Sequence, residues 1–345
     1  MLREALLISA SDARRFTDRY FTNSRKASEH QGYNPRVLYQ VFQRHDAILC
    51  GMKYVLQLFS GFGDEVQLYG LQDGDSIAPH EPVLHVIGPC AKLFELETIY
   101  LGLFTRMTKV ATAVRSAVNV ANGKPVLFFP ARFDVPEVQE YDGYAAKIGG
   151  AVGASTEEQA ASFPGKALGT MPHALIAAYK GDTAVAALAL SDAHPDEPMW
   201  ALVDFTNDSP AEAVRTFKAF KERGKKLTGV RVDTSQDLVD RSLERMGLTL
   251  HGVVPELVRE LRRQLDEAGG QGVKITASGG FTPEKIKAFE DARVPVDVYA
   301  VGEYFLKGSN AFTSDIVAYY EGDMRILCGK VGREFKDNPR FKRLK

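Results

Sequence analysis

Cysteine is scarce in this sequence of 345 residues, which contains only Cys50, Cys90 and Cys328. The three lie far apart, and no two of them have the Cys-x-x-Cys spacing. This argues against a disulfide framework and against a cysteine-rich zinc site, and it fits a reducing compartment. We therefore expect a cytoplasmic protein.

Net charge and long apolar runs are also lacking. Lys and Arg total 43 against 44 Asp and Glu, for a formal net charge of -1, so no global field favours nucleic acid or membrane. The start, MLREALLISASDARRF, carries Arg3 and Glu4 and has too short an apolar run for a signal peptide. No run approaches the roughly 20 apolar residues that span a bilayer. We expect a soluble protein that binds neither nucleic acid nor membrane.

Internal repeats, low-complexity tracts and a Gly-x-Gly-x-x-Gly signal are absent, and from Pro125 short apolar segments alternate with helix-period segments. This alternation predicts βαβ units and a parallel sheet. About seven strands over roughly 180 residues fit a closed or nearly closed barrel better than an open doubly wound sheet. The predicted strands are PVLFF, GAVGA, KALGT, ALVDF, GVRVD, VKITASGG and DVYAVGE.

The residues before and after this series have a different pattern. Residues 46–59 have helical periodicity, residues 65–88 contain short strands broken by turns, and a long helical pattern follows from about Leu93 to Val120. After residue 307 the chain becomes irregular and basic. The predicted fold is α/β, with an N-terminal α/β sandwich domain (1–115), an irregular (β/α) barrel of about seven parallel strands (116–306) and a C-terminal tail (307–345) that completes the first domain.

Polar residues gather where the predicted strands end, the edge at which such barrels carry their chemistry. They include two arginines, two aspartates, one histidine and several glycines, a set typical of a site for a polyanionic, metal-chelated ligand. They are Arg132, Thr170, His173, Asp204, Arg231, Asp233, Ser278, Gly279, Gly280 and Gly302.

The segment ITASGGFTPEK favours a phosphate site. Gly279 and Gly280 lack Cβ atoms, so backbone N–H groups can approach a ligand there, and Thr282-Pro283 is a good helix start. The positive end of that helix would face the strand ends and could hold a phosphate. A glycine turn without a ligand is the alternative.

The segment GVRVDTSQD alternates at strand period, so Arg231 and Asp233 share one face. Near a barrel mouth these charges need each other, a metal or a ligand. Asp204 ends another strand, in LVDF, and two such carboxylates could position Mg²⁺ or bind ribose hydroxyls. A structural salt bridge explains the Arg231–Asp233 pattern equally well.

The segment FFPARFD offers aromatic rings and a guanidinium. A flat aromatic ring that carries a carboxylate would use both, by stacking and by a bidentate ion pair. On spacing alone, core phenylalanines and a surface arginine explain Phe129 and Arg132 better.

His173 in GTMPHALI lies where a strand turns into a helix. Alone, it is best explained as a helix-capping or satisfied core histidine. A metal ligand is disfavoured because no second His or Cys lies nearby in sequence. Beside phosphate-binding loops, a nucleophile or an acid/base group at the barrel mouth becomes the better hypothesis.

Together these segments resemble the nicotinate phosphoribosyltransferase family of the type II phosphoribosyltransferases, over nearly the whole chain. FTDRYF (16–21) is similar to the family's Thr-Asp-x-Tyr element, and residues 71–98 to its strand-rich domain and long helix. GTMPHAL is similar to its Gly-Thr-x-x-His motif, LVDF and GVRVDTSQD to two of its strand ends, and ITASGG and YAVGEYF to its phosphate-binding strand ends. Each motif is weak alone, and their order and spacing are fairly specific.

The resemblance implies that nicotinate and phosphoribosyl pyrophosphate give nicotinate mononucleotide and pyrophosphate in NAD biosynthesis, with Mg²⁺ and ATP hydrolysis. His173 would be the histidine that ATP transiently phosphorylates. Arg132 would bind the nicotinate carboxylate and Phe129 would stack on the ring. Tyr20 would cover the other ring face from a second subunit, so a homodimer or higher homo-oligomer with shared active sites is expected.

The resemblance also implies how phosphoribosyl pyrophosphate is held. The 5′-phosphate would lie against Ser278, Gly279, Gly280 and Gly302. Asp204 and Asp233 would bind the ribose or Mg²⁺. The residues that would contact the substrate or its pyrophosphate are Thr170, Arg231, Arg25 and Lys26.

The sequence departs from the family pattern at three of these motifs. PAR replaces the usual glycine before Arg132, Thr-Ser-Gln replaces Ser-Gly after Asp233, and alanine follows His173 where serine is common. Quinolinate phosphoribosyltransferase, which decarboxylates its substrate and needs no ATP, stays open as an alternative, as does a catalytically silent nucleotide-binding paralogue. Nicotinamide is less favoured because a neutral amide would need a carboxylate near Arg132.

Overall fold

The computed structural model describes residues 13–345. The N-terminal segment on which the signal-peptide argument rests lies mostly outside these residues. Within the described range, none of the helices combines the length and the apolar character needed to cross a bilayer.

The described residues form both strands and helices. The strands of residues 13–345 are β1 (Arg36–Phe42), β2 (Ala47–Ile48), β3 (Gln67–Gly70), β4 (Ser76–Ile77), β5 (Leu84–Pro89), β6 (Val126–Phe128), β7 (Gly153–Ala154), β8 (Trp200–Leu202), β9 (Gly229–Val232), β10 (Lys274–Ala277), β11 (Val298–Val301), β12 (Thr313–Glu321), β13 (Met324–Leu327) and β14 (Lys342–Arg343). The helices are α1 (Arg19–Gln31), α2 (Met52–Leu58), α3 (Cys90–Leu93), α4 (Glu97–Val120), α5 (Gln139–Gly149), α6 (Glu157–Ala160), α7 (His173–Ala178), α8 (Thr183–Ala193), α9 (Ser209–Glu222), α10 (Arg241–Arg245), α11 (Pro255–Glu267) and α12 (Pro283–Asp291).

One compact unit contains residues 13–113 together with Glu140–Gly149 and Lys307–Lys345. Its main sheet is antiparallel, with the strand order β13-β12-β1-β5-β3-β14. The buried face of this sheet packs on an apolar core that includes Val41, Leu68 and Phe104. The C-terminal residues therefore supply three of the six strands. Residues 140–149, which the sequence-based division put in the 116–306 domain, belong to this unit.

The other unit contains Val114–Gln139 and Gly150–Leu306. Its six strands are all parallel, in the order β7-β6-β11-β10-β9-β8. Strands β9 to β11 are mostly buried, which explains their mostly apolar sequences. The helices between them are amphipathic, and α11 buries Leu257, Val258, Leu261 and Leu265 on one side.

The sheet has six strands where the sequence predicted about seven, so the prediction of a mixed α/β fold with a parallel sheet is confirmed only at that level. Among the described residues, the predicted strand KALGT has no ladder of its own. It makes one backbone hydrogen bond to the sheet, from Leu168 N to Ala154 O (2.8 Å). Lysine, glycine and alanine disfavour strands, and this segment contains all three. The six strands form a curled half-barrel, with β7 and β8 at its edges.

Gly229 begins β9 and packs against β8, and this contact gives a stability prediction. A Cβ at Gly229 would lie 2.3 and 2.4 Å from two Trp200 ring carbons and 2.9 Å from the Lys274 carbonyl oxygen. We expect Gly229→Ala to lower the free energy of unfolding by about 1–3 kcal/mol, because the indole and a strand backbone must shift. Urea unfolding measures this. Gly272→Ala is the matched control, since nothing lies within 4 Å of its Cβ position, and an equal loss in both variants would contradict the prediction.

Candidate active site

The carboxyl ends of the parallel strands bring five of the sequence-predicted positions to one edge of the sheet. Phe129 follows β6, Asp204 lies just beyond β8, and Asp233, Ser278 and Gly302 follow β9, β10 and β11 directly. Parallel strands end at a shared edge, so residues distant in sequence meet there. All five lie within the second unit.

Arg231 is the centre of a hydrogen-bonded network at this edge. Its Nε donates to Ser278 Oγ (2.8 Å), one terminal nitrogen to Thr170 Oγ1 (3.2 Å) and the other to Asp233 Oδ2 (2.7 Å). Ser278 Oγ in turn donates to Asp233 Oδ1 (2.7 Å). The network fixes the guanidinium and places both oxygens of Asp233 against donors, so the charge of Arg231 is already balanced by a carboxylate.

His173 is the first residue of α7 and pairs with Asp204. Its Nε2 lies 3.1 Å from Asp204 Oδ2, and its side chain is 48% exposed while that of Asp204 is 8% exposed. The hydrogen bond to Asp204 raises the pKa of His173 above its ordinary value, against the opposing effect of burial. Because an ionised carboxylate only accepts hydrogen bonds, Nε2 carries the proton in the neutral ring. The lone pair of the neutral imidazole is therefore on Nδ1.

Asp204 keeps one carboxylate oxygen unused. Its Oδ1 is buried and has no hydrogen-bond partner within residues 13–345, and a buried carboxylate oxygen without a partner is costly. Mg²⁺ in nucleotide sites is often held by one or two carboxylates together with substrate phosphates. Asp204 fits such a role, whereas both oxygens of Asp233 are engaged. Nowhere in the described part of the chain do three or more metal-ligating side chains converge, so any metal would depend on the substrate for ligands.

The loop after β10 presents free backbone donors. Gly279 and Gly280 both have left-handed backbones, with φ of 88° and 67°. The amide N–H groups of Gly279, Gly280 and Phe281 donate to no acceptor among the described residues. Consecutive free amides at the start of α12, which Thr282 caps, suit an anion such as a phosphate.

Gln236 lies against this loop and was missed in the sequence analysis as a site residue. A Cβ on Gly280 would lie 1.6 Å from the Gln236 side-chain nitrogen, so glycine is required there while the glutamine holds this position. Gln236 belongs to the Thr-Ser-Gln sequence that departs from the family pattern, and this departure was the only signal for it.

Phe129 and Arg132 follow the end of β6, and Gly302 follows the end of the neighbouring strand β11. The guanidinium of Arg231 lies 5.8 Å from the centre of the Phe129 ring, and that of Arg132 lies 5.3 Å from the centre of Phe133. Arg132 is exposed and has no carboxylate partner in residues 13–345. A Cβ at Gly302 would approach the Phe133 ring at 3.0 Å and the Phe129 carbonyl oxygen at 3.2 Å, so close packing of the β6 loop already requires glycine there.

The remaining predicted residues, Tyr20, Arg25 and Lys26, lie on α1 in the first unit. Tyr20 is 60% exposed, and Lys26 is exposed. Arg25 forms ion pairs with Glu29 (2.6 Å) and Glu95 (3.0 Å). Helix α1 buries no residue.

A cavity of about 710 Å³ lies within the second unit and reaches Phe129 and Thr170 among the predicted site residues. It is lined by Leu127, Phe129 and Thr170, by Trp200, which is the chain's only tryptophan, and by the irregular segment 166–170. This volume is typical of small-molecule sites. Its lining includes the first residue of β8 and the residue before β7, the two edge strands of the sheet.

Three comparisons with known proteins agree on the class of protein. Residues 18–108 match the family model described as quinolinate phosphoribosyl transferase, N-terminal domain. A nicotinate phosphoribosyltransferase of Mycobacterium tuberculosis is 28% identical over 253 residues, which cover 72% of this chain and 52% of that protein. The chain spans about half the length of the curated nicotinate phosphoribosyltransferases it matches.

Solved structures extend the similarity over most of the chain. A nicotinate-nucleotide pyrophosphorylase from Pyrococcus furiosus is 31% identical, with a TM-score of 0.79 over 93% of this chain and 78% of that one. Human nicotinic acid phosphoribosyltransferase is 17% identical, with a TM-score of 0.66 over 88% of this chain and 75% of that one. At that identity the human enzyme supports the fold alone.

Proposed function

Because the chain belongs to the type II phosphoribosyltransferases, we propose that it joins nicotinate to phosphoribosyl pyrophosphate. The products are nicotinate mononucleotide, an NAD precursor, and pyrophosphate, and the reaction is coupled to ATP hydrolysis. The observation that carries this proposal is the His173–Asp204 pair (3.1 Å) at the strand ends. It leaves Nδ1 of a half-exposed imidazole free to accept a phosphoryl group.

The ring site is proposed at Phe129 and Arg132. The exposed guanidinium of Arg132 has no carboxylate partner among the described residues, so it can pair with the carboxylate of nicotinate. The charge of Arg231 is balanced by Asp233. Of the two strand-end arginines, Arg132 alone is thus uncommitted among the described residues, which favours a monocarboxylate over quinolinate, whose second carboxylate would need another cation.

Phosphoribosyl pyrophosphate would place its 5′-phosphate on the free amides of Gly279, Gly280 and Phe281. Breaking the bond between C1 and pyrophosphate leaves an oxocarbenium-like sugar, so catalysis consists mainly of alignment and neutralisation of the leaving group. Asp204 would hold Mg²⁺ through its free oxygen, and the bound cation would supply part of that neutralisation. Thr170 and Asp233 orient Arg231, which would face pyrophosphate or phosphate oxygens.

The remaining features of the family are proposed with this activity. Residues 166–170 take the place of a seventh barrel strand, and a homodimer brings Tyr20 of one subunit over the pyridine ring in the other. Arg25 and Lys26 would face pyrophosphate. For Arg25 this requires an exchange of partners, since Glu29 and Glu95 now hold its guanidinium. The expected location is the cytoplasm.

A substrate panel tests the proposal directly. Purified protein with phosphoribosyl pyrophosphate and Mg²⁺ should convert nicotinate to its mononucleotide, faster with ATP, and should leave nicotinamide unchanged. Chromatography of the products with and without ATP measures this. No product from nicotinate would contradict the proposal.

Quinolinate phosphoribosyltransferase is the second candidate, because the relative at 31% identity is a nicotinate-nucleotide pyrophosphorylase and the matched family model is that of a quinolinate enzyme. The same panel separates the two. Turnover of quinolinate with release of CO₂ and without an effect of ATP would establish this second activity.

A further inference from the structure

Lys285 is a basic residue to which the proposed reaction gives no role, and it adjoins the loop with the free amides. It lies in the first turn of α12, three residues after the capping Thr282. Its Nζ donates to the Gly279 carbonyl oxygen (3.2 Å) and lies 4.5 Å from the centre of the Phe281 ring. No carboxylate within residues 13–345 pairs with it. By contrast, Lys287 on the same helix pairs with Asp291 at 2.6 Å.

This position is unfavourable for a lysine on structural grounds alone. The first turn of a helix carries partial positive charge, so a cation there is opposed by the helix dipole. The ammonium is also partly buried, and burial lowers the pKa of Lys285 to about 8. Both effects disfavour the charged form, and a bound anion would reverse both.

The hydrogen bond to Gly279 also fixes the direction of a backbone donor. The peptide between Gly279 and Gly280 is trans, so its C=O and N–H point in opposite directions. With the carbonyl turned toward the ammonium, the Gly280 N–H is turned away from it, and that N–H has no acceptor among the described residues. Both glycines have a positive φ and would otherwise adopt several peptide orientations.

We propose that Lys285 is a positioning residue for the 5′-phosphate of phosphoribosyl pyrophosphate: it holds the Gly279–Gly280 peptide with the Gly280 N–H directed at the phosphate, and it places a positive charge behind that peptide. This inference rests on the proposed function. The inference adds to the proposed function a residue outside the strand ends, and it names a phosphate monoester as the group that the Gly279–Gly280 loop binds.

Ribose 5-phosphate, which has the 5′-phosphate and no pyrophosphate, is the probe. Calorimetric titration of the full-length protein should show Kd rising about tenfold to a hundredfold in Lys285→Met, which keeps the length of the side chain but loses its charge. Lys285→Arg, which keeps a cation and donors, should recover most of the affinity. Lys287→Met is the matched control and should bind like the wild type. Thermal unfolding checks that each variant is folded.

The pH dependence separates the charge of Lys285 from a packing role. Glu284 precedes Lys285 on the same helix, Tyr299 packs on the Phe281 ring, and Asp233 lies against Gly279. None of these titratable groups contributes to the lowered pKa of Lys285, which has burial as its cause. Ribose 5-phosphate stays a dianion above pH 7. Wild-type affinity should therefore fall as pH rises from 7 to 9.5, whereas that of Lys285→Met should be weak and nearly flat.

Unchanged affinity in Lys285→Met, or an equal loss in Lys287→Met, would overturn the role of Lys285. So would a wild-type affinity that does not change with pH. These outcomes do not depend on which pyridine substrate, nicotinate or quinolinate, the protein uses. Ribose 5-phosphate binding that depends on Lys285, without turnover of nicotinate, would uphold Lys285 and reject the proposed substrate. Nicotinate turnover with an unchanged KM for phosphoribosyl pyrophosphate in Lys285→Met would uphold the proposed substrate and reject the role of Lys285.

Discussion

Asp233→Asn is expected to lower kcat about a hundredfold or more while the protein stays folded. The carboxylate accepts hydrogen bonds from Arg231 (2.7 Å) and Ser278 (2.7 Å), and it balances a guanidinium that is 19% exposed. An asparagine has the same shape, but it removes the negative charge and directs an NH₂ group at one of these two donors. Arg231 is then uncompensated at the edge where the oxocarbenium-like sugar forms, and losses of this electrostatic kind typically cost 10²–10³ in rate.

Steady-state kinetics with nicotinate and phosphoribosyl pyrophosphate measures this effect. Asp237→Asn is the matched control: Asp237 lies four residues further along the same loop, is exposed, and contacts only Ser235 among the side chains of the described residues. Its kinetics should be close to those of the wild type. Wild-type kcat in Asp233→Asn would reduce the Arg231–Asp233 pair to a structural salt bridge.

Much of the parallel sheet was predictable because a buried strand needs a mostly apolar sequence, and turns leave polar residues at its end. GVRV and KITA became β9 and β10, with Asp233 and Ser278 immediately after them. KALGT failed as a strand because its β-propensity is low and, among the described residues, its backbone makes only one hydrogen bond to the sheet, from Leu168. A short apolar pattern does not show whether a neighbouring strand is available to pair with it.

The contacts inside the site were less predictable from the sequence than the residues that form it. His173 and Asp204 are 31 residues apart in sequence, and each was assigned to a strand end without evidence that they pair. Lys285 gave no signal at all, because a lysine in the first turn of a helix has the pattern of a surface residue. What distinguishes it is the carbonyl direction of Gly279, which depends on two left-handed glycines and cannot be deduced from residue type.

His173→Ala is expected to abolish the acid-labile label that γ-labelled ATP leaves on the protein, and with it the stimulation of the reaction by ATP. Asp204 holds the proton on Nε2 and so leaves Nδ1 as the nucleophile. It also stabilises the positive charge that develops on the ring as the phosphoryl group arrives. The reaction without ATP should persist, because alignment of nicotinate and phosphoribosyl pyrophosphate does not use the imidazole.

The pH dependence of labelling follows from the same hydrogen bond. Only the neutral imidazole attacks, and Asp204 raises the pKa of His173, so the initial labelling rate should rise with pH through that raised pKa and then level off. His194→Ala is the control, an exposed histidine that lines the adjoining cavity, and it should be labelled normally. A label that survives His173→Ala would remove His173 from the mechanism, and Asp204 would then be left with its role toward the ribose and metal.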